Sequence, residues 1–230
     1  MTFDPLGHFD PEAPLNGSVL SEARALYESL PEVPAGTIDR GYAHWSVSPY
    51  SSSFPDYNGM ARIPDGVSWR MFVTHDPRDN ARGVNDNAVA SHTWQRNTGA
   101  VGVAIAAMGG ATENDFGEYP PTVAGLEVLC ACIAAFAKRY GLDASGTVGQ
   151  GTVHDGDAGP VNTTGEPVII THAEAAIFDG YFCGHTADPN CRWDLASFVA
   201  LPSGTALTEE MARACGDALR RRIHLYKAAL

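Results

Sequence analysis

Residues 101–140, VGVAIAAMGGATENDFGEYPPTVAGLEVLCACIAAFAKRY, contain the two elements that decide the fold. The run at 101–106 is short, continuous and apolar, which is typical of a strand buried on both faces. From 121 to 140, apolar residues recur at i, i+3, i+4 and i+7, and Gly141 follows directly. This spacing predicts a long helix that ends at the glycine.

Outward from this stretch, short apolar runs alternate with turn residues. Strands are predicted at 42–47, 67–73 and 168–171, and helices at 22–30 and 208–230. Residues 143–166 are rich in Gly, Thr, Asp and Asn and predict a long surface loop. Helices that bracket short strands of mixed character indicate an α/β fold, with a central mixed β-sheet flanked by helices.

The predicted organisation is one main domain at 39–204 with a short segment on either side. An N-terminal extension at 1–38 carries one short helix, and a C-terminal helix occupies 205–230. Its basic cluster at 220–222 leaves two interpretations open. The helix packs on the domain, which we favour, or it contacts a cell wall or membrane surface.

The composition excludes several function classes. The 230 residues include 15 Lys and Arg against 27 Asp and Glu, a formal charge of −12. Such a balance argues against nucleic-acid binding, which needs clustered basic residues. The 44% share of hydrophobic residues is enough for a core, so the chain as a whole is not expected to be disordered.

Cysteines and the N-terminus bear on the compartment. Five cysteines are an odd number, so we expect reduced thiols, with Cys191 as a buried thiol. The first residues lack the basic and apolar regions of a signal peptide, and no apolar run reaches the roughly 18 residues of a membrane span. We therefore expect cytoplasmic synthesis without a signal peptide, release or export by another system, and no stable membrane insertion.

Histidines at strand ends point to a metal. His44 lies inside a strand-like run, His172 closes another, and the segment from Asp188 to Asp194 follows. Two imidazoles and one carboxylate, with a fourth position left open, are the ligand set of a catalytic zinc site. Each histidine taken alone is more commonly structural, so the prediction depends on the group.

Six segments then occur in a characteristic order over roughly residues 40–200. They are Tyr42-Ala-His44-Trp-Ser46, Asp56-Tyr57 with the turn Asp65-Gly66, Val89-Ala-Ser-His92-Thr, Asn97-Thr-Gly-Ala-Val-Gly-Val103, Thr171-His172-Ala-Glu174-Ala and Asp188-Pro-x-x-x-Trp-Asp194-Leu. The series resembles the type 2 zinc-dependent N-acetylmuramoyl-L-alanine amidases. That family includes phage lysozyme-amidases and shares its fold with peptidoglycan recognition proteins.

The resemblance implies a ligand set and a catalytic residue. His44, His172 and Asp188 would hold Zn²⁺, with Asp194 as the competing third ligand and Cys191 as a less favoured one. Tyr57 would orient the attacking water or move its proton.

The resemblance also implies a substrate groove. Residues expected to contact substrate are His92, Trp45, Trp94, Asn97, Thr186 and Arg192. A structural role is equally open for His92, and Glu174 would either accept a hydrogen bond from a ligating imidazole or be an exposed carboxylate.

Three positions depart from the family pattern. Ala104 stands where one branch has a glutamate base, Asn58 replaces the histidine of a Tyr-His pair, and Thr186 replaces a lysine of the phage-type branch. These departures bear on activity, because the base and the oxyanion cation of the family are missing.

The resemblance implies hydrolysis of the amide between N-acetylmuramic acid and L-Ala in peptidoglycan. We expect a monomeric phage or prophage endolysin, and a recycling amidase or an exported effector would share the chemistry. The main alternative is a non-catalytic peptidoglycan-binding protein of the same fold. A plain α/β domain with structural histidines is a third.

Overall fold

A computed structural model describes residues 3–83, 88–146, 152–154, 160–162, 165–183 and 191–230. In chain order its elements are α1 (Gly17–Ser29), β1 (Arg40–Trp45), β2 (Gly59–Arg62), β3 (Arg70–Val73), a 3₁₀ turn (Pro77–Asn80), β4 (Ala100–Ile105), α2 (Val123–Tyr140), β5 (Thr152–His154), β6 (Pro160–Asn162), β7 (Ile169–Thr171), α3 (His172–Asp179) and α4 (Glu209–Ala229). The predicted α/β class is confirmed.

The central sheet has five strands in the order β3-β2-β4-β1-β7. β4 pairs in parallel with β1 and β2, β1 pairs in parallel with β7, and only the β2–β3 hairpin is antiparallel. β5 and β6 form a separate antiparallel pair. Because β1 and β7 are parallel neighbours, the residues at their carboxyl ends lie at the same edge of the sheet.

The two faces of β4 carry side chains of different size. Val101, Val103 and Ile105 belong to the core cluster that includes α2. The alternating residues Gly102 and Ala104 face the other way. Large residues therefore hold the long helix on one face, and small residues leave room on the opposite face for other side chains.

The boundaries of α2 follow from its caps. The Thr122 side chain accepts a hydrogen bond from the Gly125 amide, and Gly141 ends the helix at φ 70°. Glycine adopts the left-handed backbone conformation required at this position without a steric penalty. The helix predicted from the apolar spacing is thus confirmed to within two residues at its start.

α4 packs against α2 and turns two of its arginines, Arg220 and Arg222, inward. Arg220 pairs with Glu174 and Arg222 with Glu127, and both guanidinium groups are buried. The favoured interpretation, packing on the domain, agrees with this burial, and two of the three basic residues at 220–222 are not available to an external surface. Among the described residues, no helix is long and apolar enough to cross a membrane.

Three local predictions were wrong. The helix predicted at 22–30 begins earlier, at Gly17, because the Asn16 side chain caps it by accepting hydrogen bonds from the amides of Ser18 and Val19. The expected loop at 143–166 contains β5 and β6. His172, placed at the end of a strand, is instead the first residue of α3, where loop-like sequence was expected.

Candidate metal centre

The two predicted histidine ligands come from neighbouring parallel strands. His44 lies near the carboxyl end of β1, and His172 directly follows β7. His44 stands opposite Ala104 in the register of β1 and β4, so the small alanine leaves space beside the imidazole. Strand order therefore brings together two residues that are 128 positions apart in sequence.

Asp194 completes a compact triangle with these histidines. The two Nδ1 atoms are 3.1 Å apart, and Asp194 Oδ2 lies 3.7 Å from His44 Nδ1 and 3.4 Å from His172 Nδ1. All three residues are buried. This His44–His172–Asp194 cluster could hold a metal ion.

The carboxylate in the cluster is that of Asp194, the competing third ligand in the motif. Asp188, the favoured third ligand, lies outside the described residues, as does Thr186, so both predictions stay predictions. The backbone of Asp194 is held on α3, because its carbonyl oxygen accepts a hydrogen bond from the Ala173 amide at 3.2 Å. Asp194 is thus tied to Ala173, the residue that directly follows His172.

The second nitrogen of His44 has a partner that sequence reasoning missed. Thr93 Oγ1 lies 3.1 Å from His44 Nε2 and 2.9 Å from His92 Nδ1. With the Nε2 proton donated to this hydroxyl, Nδ1 keeps its lone pair toward the cluster. Thr93 directly follows His92 in sequence, but its contact with the distant His44 imidazole is visible only in the folded structure.

Burial and mutual charge set the protonation of the cluster. Burial lowers the pKa of His44 to about 4, so the imidazole is neutral at pH 7, which is the metal-binding form. Burial alone would raise the pKa of Asp194, but the adjacent His172 and His44 hold it below its usual range. The result is a buried anion facing the neutral imidazole of His44, an environment that suits a cation.

His92 occupies the space that Gly102 leaves on β4. A Cβ at position 102 would lie 2.2 Å from His92 Cγ, which no side chain tolerates. Burial lowers the pKa of His92 well below its usual value, so this imidazole is neutral as well. The glycine in the Val-Gly-Val motif is therefore required by the imidazole packed against it.

We expect Gly102→Ala to destabilise the protein by about 1–3 kcal/mol, because the methyl group overpacks the sheet face and displaces His92. Guanidinium unfolding measures this loss. Gly41→Ala is the matched control on β1, since its Cβ would meet neighbours no closer than 3.5 Å. Equal stability of the two variants would contradict the packing explanation.

The expectation of reduced thiols was wrong for one pair. Cys183 and Cys191 form a disulfide with their Cα atoms 4.9 Å apart, while Cys130, Cys132 and Cys215 are free and buried. An odd cysteine count does not exclude a single bridge. The disulfide also removes Cys191 as a thiolate ligand.

This disulfide anchors the chain that leads to Asp194. Next to the bridge, the Arg192 amide donates to the Tyr181 carbonyl at 3.1 Å, and the Cys183 amide donates to the Arg192 carbonyl at 3.4 Å. Asp194 follows two residues later. The bridge and these two bonds together fix the approach of the carboxylate to the histidines.

We expect the double variant Cys183→Ala/Cys191→Ala to lose about 2–3 kcal/mol of unfolding free energy, the range for a short closed loop. Any metal ion held by the cluster should also bind more weakly, because the segment before Asp194 loses an anchor. Unfolding curves and metal titrations measure both effects. A reductant should lower the stability of the wild type and leave the variant unchanged; a wild type insensitive to reductant would contradict the prediction.

At the floor of a cleft of about 1180 Å³, His172 and Asp194 belong to the lining, and His44 is buried against them. Four stretches of chain supply the cleft walls, and they contain most of the residues predicted to meet substrate. The lining includes residues of 45–47, 54–57, 91–97 and 191–194, together with Met108, Ala111, His172 and Tyr181. A cleft of this size accommodates a substrate larger than a single sugar or amino acid.

Tyr57 and the predicted binding residues have different exposures. Tyr57 lies beside the cluster, with its ring 5.3 Å from that of His44 between centroids, and burial raises its pKa. Trp94 is 65% exposed at the cleft wall, and Arg192 is half-buried there. Trp94 therefore offers an exposed aromatic surface, next to the ring of Tyr181 at 6.1 Å between centroids.

The remaining predicted contacts are more deeply placed. Trp45 lines the cleft but is almost wholly buried, and its ring packs 4.7 Å from that of Trp193. Asn97 is buried too, and its Oδ1 accepts from the Thr93 amide at 2.8 Å. These two residues support the walls and the turn that presents Thr93.

Backbone strain marks the same cleft. Among the described residues, the non-glycine positions with positive φ are Val47, Gln95, Met108 and Leu195. Val47 and Met108 line the cleft, and the other two directly follow Trp94 and Asp194. Left-handed conformations are costly for such residues and concentrate at functional sites.

One departure from the family pattern has a structural explanation. Asn58 is buried and ties the sheet together, since its Oδ1 accepts from the Gly102 amide and its Nδ2 donates to Asn80.

Glu174 matches neither interpretation offered for it. It is buried, caps α3 and pairs with Arg220. It is therefore not an exposed carboxylate, and within the described part of the chain it accepts no hydrogen bond from an imidazole.

Comparisons of this chain with models of known families, with curated proteins and with solved structures found no match. The family resemblance therefore depends on the ordered motifs. What the structure itself identifies is a buried cluster of two histidines and an aspartate, able to hold a metal ion, at the floor of a large cleft.

Proposed function

We propose that the protein is a zinc-dependent amide hydrolase that cleaves peptidoglycan between N-acetylmuramic acid and L-Ala. The observation that carries the proposal is the triangle of His44, His172 and Asp194 at the floor of the cleft. The ordered motifs support the choice of substrate.

The donor set and its spacing suit zinc. Ligands about 2.0–2.1 Å from a tetrahedral zinc ion are about 3.3–3.4 Å from one another. The three distances in the cluster, 3.1, 3.4 and 3.7 Å, bracket that value. Bound there, Zn²⁺ would act as a Lewis acid and lower the pKa of a water to about 7.

The protein's own residues orient and isolate the reacting groups. Thr93 holds the tautomer of His44, and Asp194 supplies the negative charge that retains a cation. The Tyr57 hydroxyl lies 3.5 Å from the Trp45 carbonyl, beside the cluster. Because its pKa is raised, Tyr57 stays protonated and can donate a hydrogen bond to the attacking water or to the amide oxygen.

The cleft walls suit a glycopeptide. The exposed ring of Trp94 can stack on a sugar face, while Arg192 can contact a carboxylate or carbonyl oxygen of the peptide. The disulfide beside the cluster fits an enzyme that works on the cell wall, because disulfides persist in oxidising surroundings. An endolysin that acts after release from the cell would meet these conditions.

One observation favours a second candidate, a peptidoglycan-binding protein without turnover. Ala104 stands opposite His44 in the sheet register, so a methyl group occupies the position of the carboxylate base used by one branch of the resembling family. Tyr57 favours the enzyme, because the phage-type branch lacks that carboxylate as well and relies on the tyrosine.

Mass spectrometry of the products released from purified sacculi tests the proposal. Addition of one water across the amide should release stem peptides with a free L-Ala amine and leave a lactyl carboxylate on the glycan. A chelator should stop the release, and Zn²⁺ should restore it.

Other outcomes have distinct meanings. Cleavage at another bond would refute the assigned reaction. Binding to sacculi without cleavage, unaffected by chelator, would support the second candidate instead. Absence of stoichiometric zinc after reconstitution would refute both the metal and the mechanism.

A further inference from the structure

The first turn of α3, which begins with His172, is held by a closed pair of hydrogen bonds. Glu174 Oε2 accepts from the Thr171 amide at 2.9 Å, and the Glu174 amide donates to Thr171 Oγ1 at 3.1 Å. This capping box encloses His172 between its two members. The direction of the imidazole therefore depends on the placement of Glu174.

Glu174 is in turn held by α4. Arg220 forms a two-point contact with it, Nη1 to Oε2 at 2.9 Å and Nη2 to Oε1 at 2.8 Å. Arg220 Nη1 also donates to the Ile169 carbonyl at 3.0 Å. One guanidinium group thus contacts both the strand before His172 and the helix that His172 begins.

The sequence of α4 makes room for this contact. A Cβ at Gly216 would lie 2.2 Å from Glu174 Oε2. A glycine inside a helix is unfavourable relative to alanine, so the position is explained by the carboxylate that it admits. The Glu174 and Arg220 side chains are only 2% and 6% exposed, and a buried ion pair of this kind is weak evidence for stability. The ion pair is better explained by the orientation that it gives to the first turn of α3.

We propose that Glu174 and Arg220 are positioning residues of the metal centre, through which α4 sets the direction of His172. The inference depends on the proposed metal site. Neither residue contacts the metal position. They act through the capping box and the end of β7.

The chain offers a matched control on the same helix. Arg222 is also buried and pairs with Glu127 of α2, with Nε 2.7 Å from Oε2. This second pair joins α4 to α2 and has no contact with α3 among the described residues. Removing either arginine breaks one ion pair and leaves its carboxylate with hydrogen bonds from one other residue, Thr171 for Glu174 and Tyr226 for Glu127, so the structural damage is comparable.

The experiment compares Zn²⁺ affinity in Arg220→Met and Arg222→Met by competition with a chelating dye. We expect roughly 10–100-fold weaker binding for Arg220→Met, the range for groups that support a ligand, and an unchanged affinity for Arg222→Met. The absorption of bound Co²⁺ should change only in Arg220→Met. Arg220→Lys should recover part of the affinity, because it keeps the charge but not the two-point contact.

A second variant keeps the test decisive if Arg220→Met does not fold. Glu174→Gln preserves the size and a residue type that capping boxes accept, but removes the charge that Arg220 binds. It should weaken Zn²⁺ binding in the same direction. Equal affinities of the Arg220 or Glu174 variant and the Arg222 control would overturn this inference alone, whereas a wild type that binds no Zn²⁺ would overturn the proposed function with it.

Discussion

His172→Ala is expected to abolish zinc binding and peptidoglycan cleavage while leaving most of the fold intact. The side chain supplies one of the three proposed ligand atoms, and its Nδ1 lies within 3.4 Å of the other two. Without it, two donors remain, which is fewer than any zinc site of this kind uses. The affinity loss should exceed the roughly 10–100-fold cost of changing a group that only supports a ligand.

Elemental analysis and product release from sacculi measure the two losses. The unfolding free energy should change by no more than about 1–2 kcal/mol, because the substitution shortens one side chain that lines the cleft. His224→Ala is the matched control, since that histidine is exposed on α4. Retention of full activity by His172→Ala would refute the assignment of the site.

Asp194→Ala is expected to have an effect of the same size. The carboxylate is the charged member of the cluster, and the two histidines beside it hold its pKa below the usual range. Its removal leaves two imidazole nitrogens and no negative charge to offset a divalent cation. Zn²⁺ binding and turnover should therefore both fall below measurable levels.

Asp188→Ala is the informative comparison, because the motif favours Asp188 whereas the described geometry brings Asp194 to the histidines. We expect Asp188→Ala to bind Zn²⁺ with an affinity close to that of the wild type. The reverse result, with zinc lost in the Asp188 variant and kept in the Asp194 variant, would reassign the third ligand to the motif position.

The motifs were informative for the two histidines of the cluster but not for its carboxylate. His44 and His172 could be predicted because each sits in or beside a short apolar run, and such runs become neighbouring strands of one sheet. The carboxylate could not be chosen in the same way. Asp188 and Asp194 are separated by six positions in loop-like sequence, and loop geometry has no periodicity from which to predict it.

Glu174 and the cysteines illustrate a second difficulty. Glu174 is read from sequence as a residue near a ligand, but its partner Arg220 is 46 positions away on another helix. Likewise, the pairing of Cys183 with Cys191 depends on Cα atoms that come within 4.9 Å, a distance that a count of cysteines does not contain. Both contacts are products of packing between distant elements.

Local sequence by itself determined the elements: the apolar run of β4, the spacing and caps of α2, and the glycine that ends it. Backbone sterics and burial of apolar surface act over a few residues, so their pattern can be read along the chain. Tertiary structure decided which carboxylate joins the histidines, which thiols pair and which arginine supports His172. Those choices depend on distances of a few ångströms between remote segments, and the packing of the whole chain sets them.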